Sequence, residues 1–400
     1  MKIRKILLLA GEESGLIYAE RLKGALKDAL PGEVTEFRGY QSEGFKTADL
    51  AVMGFWPVLK RLFFFLGVSR AMKRLIREWR PDAVVTVDYP GLNLKLAAYA
   101  KAQGIPAVHL VCPQVWAWHQ GRIPKVAAAL TKLLCFFPFE PPLFKDYEGH
   151  GFSARFIGHP MADLCAEEER AHGEPPSWRL NREGRAPARP CIALLPGSRM
   201  GEIQRILPRL LRAVRLLPGG QDTQDHQDTQ DTSKGIRILI PAANDRAYAE
   251  IERQVQAAPP PASFQLEIVR GKAREVLRQA DCAAVASGTA TLEAALARCP
   301  TVLVYAVSPL LAWFARRVIK GVKHIGLANV IAEKTDTPPP MPELLQEAFT
   351  SEAVAARLSE WLADSAVRAK AVAALDATMA LLKSDGDALG NAAREILSCM

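Results

Sequence analysis

"DCAAVASGTATLEAALARCP", residues 281–300, reads as a short apolar strand, a tight turn of small residues and an apolar helix. Ser287, Gly288 and Thr289 supply the turn and the N-cap chemistry of the helix that follows. The first turn of a helix leaves backbone N–H groups unpaired and carries the positive end of the dipole, so an anion such as phosphate is well placed there. Glu293, about one turn further in, would repel phosphate but can accept hydrogen bonds from sugar hydroxyls. A phosphorylated ribose suits both features. An ordinary capped helix with a solvated Glu fits the same residues.

Outward from this stretch the same rhythm recurs. "KILLLA" (5–10), "DAVVTVD" (82–88), "PAVHLV" (106–111) and "KLLCFF" (132–137) are strand-like and separated by amphipathic segments. After a polar, Pro- and Arg-rich stretch the rhythm restarts with "CIALLPGSR" (191–199), "IRILIPAA" (236–243), "FQLEIV" (264–269), "CAAVAS" (282–287) and "TVLVYAV" (301–307). This is βαβ repetition, the mark of parallel α/β sheets. The expected division is a first Rossmann-like domain over 1–165, a linker over 166–190, a second Rossmann-like domain over 191–340, and C-terminal helices over 341–400 that pack across domains or subunits. Two such domains in tandem place a cleft between them, beside the carboxyl ends of their strands, where parallel sheets bind ligands. The polar repeat at 219–235 is expected to be a surface loop without a catalytic part.

The chain has 400 residues, 49% hydrophobic and 24% charged, enough for two or three globular domains. Its net charge of +8 favours an acidic partner: a phosphorylated substrate, anionic lipid or nucleic acid. No recognition motif accompanies the charge, so nucleic acid is not expected as a partner. Seven scattered cysteines without a C-x-x-C pair argue against a disulfide framework or structural zinc, and no cofactor is expected. The N-terminal "MKIRKILLLAGEESG" has too short an apolar core for a signal peptide and reads as a buried first strand. The longest uncharged run, 299–315, is broken by Pro300 and Pro309 and is too short to span a membrane.

Residues 57–80 form a basic amphipathic helix. Phe63, Phe64 and Phe65 precede Arg70, Lys73 and Arg74, with Arg77 and Arg80 beyond. Two readings fit: a face that dips into a bilayer interface among anionic headgroups, or a core helix with a solvated basic side. The group Arg316, Arg317, Lys320 and Lys323 poses the same choice.

"LLPGSRMGEIQRILPRLL" (194–211) is again strand, Gly turn and helix, with Ser198 and Arg199 at the turn, where a guanidinium can clamp a phosphate. It is neither a Walker loop nor G-x-G-x-x-G. Asp88 ends an apolar strand, either as a general base or as the cap of the next helix, and Glu12 ends another beside a Gly turn. His109 and His159 read as packing or turn residues, and no serine sits in a hydrolase elbow.

Taken in order, "AGEESG", "RPDAVVTVDYPGLNLKLA", "GIPAVHLVCPQVWAWHQGRI", "FPFEPPLFKDY", "FIGHPMAD", "LLPGSRMGEI", "ASGTATLEAALARCPTVLVYAVSPLLAWFARRVIK" and "LANVIAE" resemble the lipid-A-disaccharide synthases over nearly the whole chain. The resemblance implies a metal-independent, inverting GT-B glycosyltransferase at the inner face of the bacterial inner membrane. It would join UDP-2,3-diacylglucosamine to 2,3-diacylglucosamine 1-phosphate through a β(1→6) bond and release UDP. It implies Asp88 as base, Arg199 and the 287–289 turn at the diphosphate, Gly271 on the uracil side, Asn329 near the nucleotide, and a homodimer with exchanged C-terminal helices. A related enzyme acting on another membrane glycolipid, or a nucleotide-sugar-binding protein without turnover, would keep the same donor residues. The chain departs from the family pattern at Leu16, Gly91, His119 and Ala328, and "RGYQSEGF" (38–45) replaces a Gly-Gly-Pro-Arg-Met segment. Most of these changes fall on the acceptor side.

Overall fold

The computed structural model describes residues 3–11, 13–45, 62–149, 151–172, 190–219, 235–308 and 321–400. The chain forms two units, Met1–Asp163 with Leu382–Met400, and Leu164–Leu381.

The first unit runs β1 (Ile3–Ala10), α1 (Glu13–Asp28), β2 (Val34–Arg38), α2 (Leu62–Trp79), β3 (Ala83–Val87), α3 (Pro90–Ala102), β4 (Ala107–Leu110), α4 (Ile123–Ala129), β5 (Lys132–Cys135) and β6 (Ser153–Phe156). Its six strands pair in parallel in the order β2-β1-β3-β4-β5-β6. Both faces of the sheet are covered, which is why β1 and β3 are nearly continuous apolar runs. On one face Leu7, Leu9 and Val84 pack with Met72 and Ile76 of α2 and Leu96 and Ala100 of α3. On the other, Ile6, Leu8 and Val85 pack with Leu22 and Leu26 of α1.

α5 (Pro160–His172) follows, and the second unit continues with β7 (Cys191–Leu195), α6 (Met200–Arg215), β8 (Arg237–Ala242), α7 (Asp245–Ala257), β9 (Gln265–Arg270), α8 (Ala273–Gln279), β10 (Cys282–Ala286), α9 (Thr289–Leu296), β11 (Thr301–Tyr305), α10 (Leu327–Lys334), β12 (Glu343–Leu345), α11 (Ser351–Ala363) and α12 (Ser365–Ala380). The strand order is β12-β11-β10-β7-β8-β9, again all parallel. Ile203, Ile206, Leu207 and Leu210 form the apolar stripe of α6 and pack on Ile192, Leu194 and Ile238. Where strand order reverses, between β1 and β3 and between β7 and β10, the chain leaves neighbouring strand ends in opposite directions and opens a crevice.

Two boundaries differ from expectation. The sequence places a linker over 166–190, but α5 continues the helix through His172; residues 173–189 lie outside the described residues. The stretch after 340 is not purely helical, because Glu343–Leu345 adds a sixth strand beside β11. The C-terminal helices divide between the units: α11 and α12 stay with the second, while α13 (Ala388–Leu397) completes the first. The cause is its stripe of Leu389, Ala392, Ala393 and Ile396, which buries against Leu22 and Leu26 of the same chain. Asp163 accepts the N–H of Ala388 at 2.7 Å, fixing that helix start. Residues 220–234 of the polar repeat lie outside the described residues. Among the described residues, no helix is long and apolar enough to cross a membrane.

Candidate active site

A cavity of about 310 Å³ opens at the carboxyl ends of β7, β8, β9 and β10 in the second unit. Its walls include Ser198, Arg199, Gly271, Ser287, Gly288, Thr289 and Glu293, seven of the eight residues expected at the donor. Each comes from the turn after a strand or the first turns of the following helix. α9 starts at Gly288 without any side-chain cap, so its leading amides are not closed off by a neighbouring hydroxyl. Ser287 was expected to contribute to the cap; its hydroxyl instead points at the Ile325 carbonyl, 3.4 Å away. Glu293 is half-buried, and burial pushes its carboxyl above the usual carboxylate range, against the pull of Arg274.

Arg199 caps α6 and its guanidinium lies largely exposed, 2.9 Å from Glu202. Glu202 also accepts the Arg199 backbone N–H at 3.4 Å. Glu202, three residues after the N-cap, thus reaches back to the cap backbone, a role the sequence does not announce because Arg is not a usual N-cap residue. Gly197, at φ 105°, is needed here: a side chain would run into the Glu202 carboxylate. Lys272 also lines the cavity, held with Gly271 in a left-handed turn after β9, and was likewise missed.

In the first unit, Asp88 follows β3 at its switch point. Its backbone N–H donates to Leu110 on β4 at 3.0 Å. The helix-cap reading does not hold, because α3 is preceded by Tyr89 and no side chain caps it. The half-buried carboxyl is pushed above the ordinary range by burial, with an opposing hydrogen bond from the Tyr89 N–H. That makes it a stronger base than a solvated aspartate.

A family profile described as lipid-A-disaccharide synthetase matches residues 6–396. The chain belongs to the lipid-A-disaccharide synthase family. The enzyme of that name from Anaeromyxobacter dehalogenans (strain 2CP-C) is 37% identical over 405 residues, covering 99% of this chain and 97% of the relative. That of Neisseria meningitidis serogroup C is 34% identical over 364 residues, covering 89% and 88%. Among solved structures, MurG of Acinetobacter baumannii aligns with a TM-score of 0.56 at 13% identity, covering 99% of each chain. UDP-GlcNAc 2-epimerase from Neisseria meningitidis bound to UDP-GlcNAc aligns at 0.54 and 10% identity, covering 99% of each chain. At these identities the likeness carries the fold alone, GT-B. As a family member the chain is a glycosyltransferase of lipid A biosynthesis.

Other expected residues fall elsewhere. Asn329 does not line the cavity: it is buried, its amide donates to Met341 and Glu343 at 2.8 Å each, and it accepts the Met341 N–H. It braces α10 against β12 and the segment leading into it. Glu12 lies outside the described residues, as do Arg316, Arg317 and Lys320. His109 is fully buried with Nδ1 2.6 Å from the Thr86 hydroxyl, and burial pushes it down to about 3; His159 is pushed down to about 4 for the same reason. Both are neutral packing residues.

Cys112, Cys135 and Glu140 come together in the first unit, their ligand-type atoms within 4.8 Å of one another, a grouping that sequence spacing does not reveal. Burial pushes the Glu140 carboxyl up to about 8, although N–H donors from Phe137 and Trp116 oppose the shift. Both thiols are also shifted up, so the cluster is uncharged at neutral pH. Between an unfolded value of 4.5 and about 8, the folded chain holds a proton on Glu140 that the unfolded chain has lost. Stability therefore falls as pH rises through that window, by at most ~1.4 kcal/mol per pH unit. Thermal melts of the parent and Glu140→Gln should diverge in slope across this range, the variant being flatter. Parallel curves would show that Glu140 does not hold its proton.

Proposed function

We propose that this chain transfers 2,3-diacylglucosamine from its UDP ester to the 6-hydroxyl of 2,3-diacylglucosamine 1-phosphate, by one inverting displacement that needs no metal. The observation that carries this is the convergence of seven donor-type residues on one cavity at the β7/β10 switch point. The fold is shared with a protein whose structure holds UDP-GlcNAc. In this reading the α9 amides and Arg199 take the diphosphate, and Glu293 accepts hydrogen bonds from the ribose. Asp88 removes the proton from the acceptor hydroxyl as its oxygen attacks the anomeric carbon. The bond to UDP breaks, and the charge gathering on UDP meets Arg199 and the helix dipole. Proton nuclear magnetic resonance of the product formed in the presence of EDTA tests this. A β anomer is expected; an α anomer, or loss of turnover on chelation, would contradict it.

We also propose that α2 meets the anionic inner face of the inner membrane, through a narrower surface than its sequence suggests. Phe63 is 86% exposed and Leu66 42%, on the same helix face as Arg70, Arg74 and Arg77. Phe64 and Phe65 are instead half-buried, packed edge-to-face on each other, with Phe64 against Phe45. Lys73 lies over the Tyr99 ring at 5.2 Å. The double change Phe63→Ser and Leu66→Ser should release the folded protein from phosphatidylglycerol vesicles in co-sedimentation. Undiminished sedimentation would leave α2 as a core helix with a solvated basic side.

A further inference from the structure

We infer that Asn93 and Tyr40 form a buried clamp that holds the Asp88 turn in its working conformation. The inference rests on Asp88 being the base. Asp88 and Tyr89 both have left-handed backbones, at φ 49° and 52°, which non-glycine residues adopt at a cost. Two such residues in succession need an external hold. Asn93, on the first turns of α3 and fully buried, provides it. Its Nδ2 donates to the carbonyls of Asp88 at 2.7 Å, Val87 at 3.2 Å and Leu9 at 3.3 Å. These carbonyls lie at the ends of β3 and β1, the two strands that flank the switch point. One amide thus ties both strand ends to the turn that carries the carboxylate.

An amide can serve this purpose only if its nitrogen, not its oxygen, faces the three carbonyls. Tyr40 sets that orientation: its hydroxyl, on a residue only 2% exposed, donates to Asn93 Oδ1 at 2.6 Å. Tyr40 belongs to "RGYQSEGF" (38–45), so that segment supports the turn of the base through one buried hydroxyl. Tyr89 completes the turn by laying its ring over Gly11, where a Cβ would sit 2.6 Å from the ring. Asn93 and Tyr40 are positioning residues: no atom of theirs is needed at the acceptor.

A double-mutant cycle with the full-length protein tests this, measuring kcat, donor KM, and UDP affinity by calorimetry, with thermal melts to confirm folding. Asn93→Leu, which keeps bulk and loses the clamp, should lower kcat roughly 100-fold with donor KM and UDP affinity within about twofold. Tyr40→Phe should lower kcat by about threefold to tenfold in the same pattern and provides the readout if Asn93→Leu does not fold. In the Asp88→Asn background neither change should add further loss, because both act through the carboxylate. If Asp88→Asn is impaired and the losses multiply, or if Tyr40→Phe and Asn93→Leu leave kcat unchanged, the clamp is refuted while the base assignment stands. If Asp88→Asn itself is fully active, the base assignment fails first and the clamp with it.

Discussion

Asp88→Asn should lower turnover by roughly 10²–10⁴ while leaving affinity for the UDP-sugar nearly unchanged. Asparagine keeps the shape and the hydrogen bond from Tyr89 but cannot take a proton. The effect falls on chemistry because the proposed role of Asp88 is to take the acceptor's proton, and Asp88 is not among the residues that line the donor cavity. Steady-state kinetics with authentic acceptor, alongside UDP-sugar titration by calorimetry, separates the two quantities. Near-normal kcat in the variant would move the base elsewhere, with Glu12 the next carboxylate to replace.

Arg199→Ala should act in the complementary place. Losing a charge-assisted contact to the diphosphate costs about 2–3 kcal/mol, a fall of roughly 30- to 150-fold in kcat/KM. Because Arg199 also pairs with Glu202, the variant frees a carboxylate at the start of α6, and that negative charge adds to the penalty for an incoming phosphate. Arg199→Lys keeps the charge but loses the fork, and should fall between the two. Kinetics indistinguishable from the parent would remove Arg199 from the donor site.

Most of the donor half was legible because its signals are local. A strand that is apolar throughout, a turn of Ser287, Gly288 and Thr289, and a helix beginning there can be read along the chain without knowing what packs on it. The same holds for Gly197, Ser198 and Arg199 after β7. The edge strands β2 and β12 carried no such signal: β2 mixes Thr35, Glu36 and Arg38 with two apolar residues, and β12 has three residues. Their neighbours, not their composition, place them in the sheets. The bracing role of Asn329 is not legible in the sequence, because a buried amide joining two elements and an amide facing a nucleotide look alike there. Phe64 and Phe65 read like Phe63 in the sequence, because three consecutive aromatics conceal which one points outward. The Asn93–Tyr40 pair and the Cys112–Cys135–Glu140 group are long-range, and only the folded sheet brings them together.

Every role proposed for these residues depends on sugar transfer from a UDP donor. Simultaneous measurement of UDP and acylated disaccharide, with purified protein, UDP-2,3-diacylglucosamine and 2,3-diacylglucosamine 1-phosphate in mixed micelles, tests that most directly. Equal amounts of the two products, both abolished when the acceptor is omitted, are predicted. Donor binding without UDP release in the presence of acceptor, or UDP release without disaccharide, would contradict it.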